Sequence, residues 1–232
     1  MIRWFWTLGF LVVSASHNAT GAETTAFTGM AERTLTCAAC HGKEGRATTA
    51  GFFPRIAGKP SGYLYSQLLN FRDGRRYNSL MSPLLANLSD AYLREIAEYF
   101  ASLDLPYPPP QNASLPPQVR TRGEELVRSG DTARNIPACT ACHGLAMMGR
   151  QPAIPGLLGL PRDYLNAQLG AWRTGQRKAA SPDCMHSVAL LLDTADVSAL
   201  SEWLATQPVP LLAKAAIASD SPLPAECGKV PK

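Results

Sequence analysis

Two short stretches of this chain place thiols and an imidazole at one fixed spacing: Cys37-Ala38-Ala39-Cys40-His41 and Cys139-Thr140-Ala141-Cys142-His143. On a helix, residues at i and i+3 lie one turn apart on the same face, so both thiols of a set can add to the two vinyl groups of one porphyrin. The histidine at i+4 then points its imidazole at the iron. This is the attachment pattern of c-type haem, and its occurrence twice implies two covalently held haem c groups. Paired thiols have other uses, but those need other settings. A zinc site would need the two motifs to converge, and a thiol redox pair would need a βαβ context that this sequence does not offer.

A haem iron bound by histidine has a sixth position, and its occupant separates electron carriers from catalysts. A thioether there raises the potential and closes the site to substrates. Met81 is the only methionine between residues 31 and 146, and it lies 40 residues after His41. Met185 lies 42 residues after His143 at the matching place, whereas Met147 and Met148 follow His143 too closely to reach the opposite face. The expected axial pairs are therefore His41 with Met81 and His143 with Met185. A ligating imidazole usually gives its second N–H to a fixed acceptor, and the rigid loops at Pro54 and Pro155 offer backbone carbonyls for that. Arg76 and Arg177 are candidates for charge-assisted bonds to haem propionates. Tyr63, Gln67, Tyr164 and Gln168 read as helix-packing or haem-edge residues rather than catalytic ones.

The elements that must position these groups are written twice. Pro54 to Pro60 recurs as Pro155 to Pro161, and Tyr63-Leu64, Gln67-Leu68, Gly74 and Arg76 recur as Tyr164-Leu165, Gln168-Leu169, Gly175 and Arg177, all at an offset of 101. The two cysteine motifs are offset by 102 and the two methionines by 104, so the chain is a duplication with small loop insertions. Helices are expected over 62–73 and 163–174, each stopped by a glycine, and from Gly123 to Ser129 ahead of the second motif. Leu93, Ile96, Ala97 and Phe100 sit at helical spacing, as do Val197, Leu200 and Leu204, with Ser89 and Asp193 or Thr194 as N-caps. No segment alternates as a strand, so the expected class is all-α with long loops.

Composition bounds the rest. The net charge of +4 is evenly spread with no basic run, so nucleic acid is not an expected partner. Arg3, the apolar stretch from Trp4 to Val13, and Thr20 and Ala22 before Glu23 read as an export signal over residues 1–22. Export places the mature chain in the periplasm, with at most peripheral membrane association. Asp104 to Gln118 holds six prolines and reads as a stiff connector. The expected units are thus 23–104, a linker at 105–118, 119–207, and an extension at 208–232. Of six cysteines, four go to haem; Cys184 and Cys227 remain and are expected to pair in an oxidising compartment.

The two Cys-x-x-Cys-His-Gly motifs, Pro54 to Gly58, Tyr63 to Gln67, Met81 with the helix after it, Ile136 to Cys139, and Tyr164 to Gln168 resemble the cytochrome c4 family. The likeness covers nearly all of residues 31–207. It implies two tandem class I cytochrome c-like domains, each wrapped around one covalent haem. It also implies an electron carrier, not an enzyme, working between respiratory donor complexes or dehydrogenases and a terminal oxidase or reductase. Two features depart from the family pattern: Cys184 and His186 flank Met185, and the chain continues past Pro208. They keep two alternatives open. One is a dihaem oxidoreductase of thiosulfate dehydrogenase type, with Cys184 on the second iron; the other is a cytochrome subunit docked on a periplasmic dehydrogenase.

Overall fold

The computed structural model describes residue 1 and residues 29–112, 114–211, 214–218 and 223–228. The export segment expected over residues 1–22 and its cleavage point before Glu23 lie, apart from Met1, outside the described residues. Five helices form the first half: α1 (Met30–Arg33), α2 (Leu35–His41), α3 (Ser61–Arg72), α4 (Met81–Leu85) and α5 (Asp90–Ser102). The second half holds α6 (Pro117–Arg128), α7 (Cys139–His143), α8 (Arg162–Arg173), α9 (Cys184–Leu191) and α10 (Thr194–Thr206). The class is all-α. Between α7 and α8 lies a small hairpin of β1 (Gly149–Arg150) and β2 (Ile154–Pro155), with Gly149 opposite Pro155 and Arg150 opposite Ile154. Two-residue strands are too short to show an alternating pattern, so the sequence carried no sign of them.

Local chemistry explains where the helices start and stop. Ser89 caps α5 by accepting the Tyr92 N–H, and Asp193 forms a reciprocal capping box with Asp196 on α10. Both α3 and α8 run into glycines at positive φ, Gly74 at +77° and Gly175 at +73°, a conformation that L side chains resist. The helix expected at Gly123–Ser129 starts earlier, at Pro117, inside the stretch read as connector. Proline is tolerated there because its missing N–H falls in the first turn, where no helical partner exists. A loop with a 3₁₀ turn at Thr132–Arg134 then separates α6 from the cysteine motif of α7.

Each half has its own core. In the first, α5 lies on α3 and buries Leu93, Ile96, Ala97 and Phe100 with Leu64, Leu69, Phe71 and Leu85. In the second, α10 packs on α6 and α8, burying Val197, Leu200, Trp203 and Leu204 with Leu126, Val127, Tyr164 and Leu165. Met147 and Met148 belong to this second core. The connector is held at its start and its middle: Leu105 and Pro106 carbonyls accept from Arg55, and the Gln111 N–H bonds the Ala205 carbonyl. Beyond Pro208 the tail returns to the second half, where Ala216 exchanges hydrogen bonds with Gly149 and Gln151. Cys227 is joined by a disulfide to Cys184, and the Gly228 N–H bonds the Pro182 carbonyl. Among the described residues no helix is long and apolar enough to cross a membrane.

Candidate haem sites

In each half the two thiols and the histidine occupy one short helix, α2 or α7, and none of the four thiols is in a disulfide. His41 is 8% exposed, and its Nδ1 lies 2.9 Å from the Pro54 carbonyl; His143 is 6% exposed, and its Nδ1 lies 2.8 Å from the Pro155 carbonyl. A carbonyl only accepts, so Nδ1 carries the proton in both rings and Nε2 is left with its lone pair. Burial pushes both imidazoles down from the ordinary histidine range. The proline hydrogen bonds oppose that shift, while Arg76 lowers His41 and Lys59 lowers His143 further. Neutral rings with a free Nε2 are the form that binds iron.

The thiols are equally informative. Burial raises Cys37 and Cys142, and it pushes Cys139 up to about 12. A thiol redox pair works through a lowered thiol pKa, so these sites are poorly suited to that chemistry. Among the described residues no three His, Cys, Asp or Glu side chains gather as a metal-binding cluster.

Both candidate methionines sit in the first turn of a short helix tied down by an Asx side chain. Asn78 Oδ1 accepts from the N–H groups of Leu80 and Met81, each at 3.0 Å. Asp183 Oδ1 accepts from the His186 N–H at 3.1 Å, and Asp183 Oδ2 from the Ala179 N–H at 2.6 Å. Met81 and Met185 are half-buried. Of the groups flanking Met185, the Cys184 sulfur is in its disulfide, and His186 Nδ1 lies 2.9 Å from the Trp172 carbonyl, a bond that occupies one ring nitrogen and leaves Nε2 free.

Arg76 and Arg177 meet across the seam between the halves. Arg76 donates to Gln67 (2.9 Å), Gln168 (2.6 Å) and Tyr164 (3.2 Å), while Arg177 donates to Gln168 (2.8 Å), Gln67 (2.9 Å) and Tyr63 (3.5 Å). The four residues expected to pack helices or line haem edges are thus the crossed partners of the two arginines. Each guanidinium also stacks on a ring, Arg76 on Phe71 at 4.4 Å and Arg177 on Trp172 at 3.7 Å. Both arginines are buried, and no carboxylate forms an ion pair with either among the described residues. A cavity of about 90 Å³ opens beside them, lined by Phe71, Tyr77, Gln168 and Ala171 among others. Buried cations with only neutral partners call for an anion. The Trp172 indole N–H is also buried without an acceptor among the described residues. A group bearing carboxylates, as haem does, would meet both needs, so the residues present fit haem.

Sequence reasoning missed Arg55 and Lys59. Both are buried, at 2% and 3% exposure, and they reach from the first half to the connector and the second half. The one available signal was a mismatch between the repeats: at the common offset of 101 their counterparts are Gly156 and Leu160.

An all-helical unit that presents two thiols, a proline-oriented histidine and a methionine-bearing helix, built twice in one chain, defines a dihaem c-type cytochrome. Comparison with known proteins gives the family. No family model matches the chain. The thiosulfate dehydrogenase electron acceptor of Thiomonas intermedia is 39% identical over 176 residues, 75% of this chain and 79% of that protein. Cytochrome c4 of Pseudomonas aeruginosa is 36% identical over 170 residues, 72% of this chain and 82% of that one. The crystal structure of reduced cytochrome c4 from Pseudomonas stutzeri superposes with a TM-score of 0.66 at 32% identity, covering 75% of this chain and 94% of that one. The chain belongs to the cytochrome c4 family, and it is a dihaem electron-transfer cytochrome with two covalently bound haem c groups.

Proposed function

We propose that this cytochrome is a periplasmic carrier that shuttles single electrons between a donor dehydrogenase or respiratory complex and a terminal oxidase or reductase. In this reading Cys37 and Cys40 hold the first haem and Cys139 and Cys142 the second. His41 with Met81 and His143 with Met185 ligate the irons. When bound, the haems supply reversible one-electron chemistry. The chain's own residues do the rest. The Pro54 and Pro155 carbonyls fix each imidazole's orientation and protonation, and the Asn78 and Asp183 turns hold the methionines. Arg76 and Arg177 neutralise propionates at the seam. The observation that carries the reading is the repetition: both halves pair a buried, proline-bonded histidine with a methionine at the matched place.

An optical and EPR spectrum of the oxidised protein tests it. Two low-spin His/Met signals are expected, with the far-red methionine–iron band halved in Met81→Ala and again in Met185→Ala. An unchanged band in either variant would remove that methionine from its iron.

The 39% identical relative from Thiomonas favours a particular donor, a thiosulfate dehydrogenase acting as a separate catalytic protein. Mixing the oxidised cytochrome with such an enzyme and thiosulfate should reduce both haems, whereas thiosulfate alone should not. Reduction by thiosulfate alone would instead support the oxidoreductase alternative, in which Cys184 serves the second iron. The engagement of Cys184 in a disulfide speaks against that alternative. The export signal expected over residues 1–22 supports the periplasmic location, and release of the native protein by osmotic shock would test it.

A further inference from the structure

Lys59 leaves its own half of the molecule. It extends from the loop before α3, and its ammonium donates to the Gly156 carbonyl at 2.8 Å. Gly156 directly follows Pro155, whose carbonyl takes the His143 Nδ1 proton at 2.8 Å. The contact is tightly enclosed. A Cβ on Gly62 would come within 2.7 Å of the Pro152 carbonyl, and one on Gly156 within 2.5 Å of the Met148 carbonyl. Lys59 is 3% exposed, and no carboxylate forms an ion pair with it among the described residues. Its charged neighbour Arg55 is spent on the Ala57, Leu105 and Pro106 carbonyls and on the Tyr107 ring at 4.0 Å. The arrangement has no counterpart in the other direction, because the matched position in the second half is Leu160.

We propose that Lys59, a residue of the first half, is a positioning residue for the second haem. It pins the strip of backbone that orients His143, and its charge raises the reduction potential of that haem relative to the first. The inference rests on His143 being an axial ligand, as proposed above. A buried cation beside an axial histidine favours the state with one more electron, and low local polarity carries the effect over many ångströms. Burial pushes Lys59 itself down to about 7, so its charge is best probed at pH 6.

The test is a redox titration of the dihaem protein at pH 6, followed by NMR so that each haem is read separately through its methionine methyl signal. Met81→Ala assigns the signals by removing one of them. Lys59→Gln keeps a donor for the Gly156 carbonyl and drops the charge; Lys59→Met drops both. In both variants the second haem should become harder to reduce. Its oxidised-to-reduced ratio at a given potential should rise by about fourfold or more, the effect of one unit charge within about 20 Å at an effective dielectric near 20. The first haem should move less. A second haem unmoved in Lys59→Gln, whatever Lys59→Met does, would overturn the proposal, as would equal shifts of both haems. Failure of the ligation reading would look different: the unsubstituted protein would lack a second methionine methyl signal.

Discussion

The two halves of this cytochrome carry the same haem-binding apparatus but are braced differently. In the first half the N-terminal helix α1 is four residues long, and Arg33 ties it to α5 through an exposed ion pair with Glu95 and a stack on Tyr92 at 4.5 Å. In the second half α6 is twelve residues long, and Asp196 of α10, 3% exposed, is held by both Arg122 (2.8 Å) and Arg134 (2.7 Å). The second half alone has a disulfide, and the tail it anchors touches both the hairpin after His143 and the turn before Met185. The first half instead spends its buried charges outward, with Arg55 on the connector and Lys59 on the second half. The cysteine–histidine helix and the proline carbonyl that bonds its imidazole are alike in both halves, while the bracing around them differs. The second half carries more bracing of its own, and the first sends more of its buried charge across to its neighbours.

The sharpest way to break that comparison is to remove the disulfide. The Cys184–Cys227 bridge spans a sequence separation of 43. Loop entropy puts its contribution at about 4 kcal/mol. Cys184→Ser with Cys227→Ser should lower the stability of the second half by that order and loosen Met185, so that the reduced protein binds carbon monoxide at one haem. Tryptophan fluorescence during urea unfolding isolates the effect, because Trp172 and Trp203 both lie in the second half and the other two tryptophans, Trp4 and Trp6, fall in the expected export segment. An unchanged midpoint would show that the tail is decoration.

Next in size is Asp196. Asp196→Ala leaves Arg122 and Arg134 facing a buried gap and should cost about 3 kcal/mol, whereas Glu95→Ala in the first half should cost under about 0.5 kcal/mol. The Asp196 case also has a pH signature. Burial by itself would raise this carboxyl, but the two arginines outweigh it and hold the group below the ordinary carboxylate range. A lowered folded-state pKa gives stability that is present above the unfolded value of about 4 and is lost as pH falls through the folded one. The unfolding midpoint of the second half should therefore drop steeply below pH 4 in the parent protein and more gently in Asp196→Asn. Equal costs for Asp196→Ala and Glu95→Ala would erase the claimed difference in bracing.

What could be read from the sequence, and what could not, follows the same division. The cysteine–histidine pattern is a local geometry of one helical turn, so its meaning survives without a structure. The helices at α3 and α8 end within a residue of where Gly74 and Gly175 announce them, and Ser89 and Asp193 cap as their types suggest. The crossing of Arg76 and Arg177 onto each other's glutamines depends on how two copies of one unit face each other, and no spacing rule encodes that. Lys59 was invisible for a similar reason. Its partner is 97 residues away and is a backbone carbonyl, which leaves no mark in side-chain type. The start of α6 at Pro117 was hidden because a proline-rich stretch reads as connector until its last proline is seen to occupy a first helical turn.

The smallest expected effect tests whether the seam is as symmetric as its residues. Tyr63 and Tyr164 are repeat partners, each accepting from the arginine of the opposite half, but the bonds differ: Arg76 reaches the Tyr164 hydroxyl at 3.2 Å, while Arg177 reaches Tyr63 at 3.5 Å. A donor–acceptor distance near 3.5 Å sits at the edge of what counts as a hydrogen bond. Both hydroxyls are buried, which raises them, and both feel the opposing pull of Arg76 and Arg177. Tyr164→Phe, which takes an acceptor from a buried guanidinium, should cost about 1.5 kcal/mol, and Tyr63→Phe less than about 1 kcal/mol. Both bonds join the halves, so the loss should appear in circular dichroism as a wider gap between the unfolding of the first half and that of the second. The reverse order of costs would mean that the seam is held from the Arg177 side, and that the first half rather than the second supplies its anchoring acceptor.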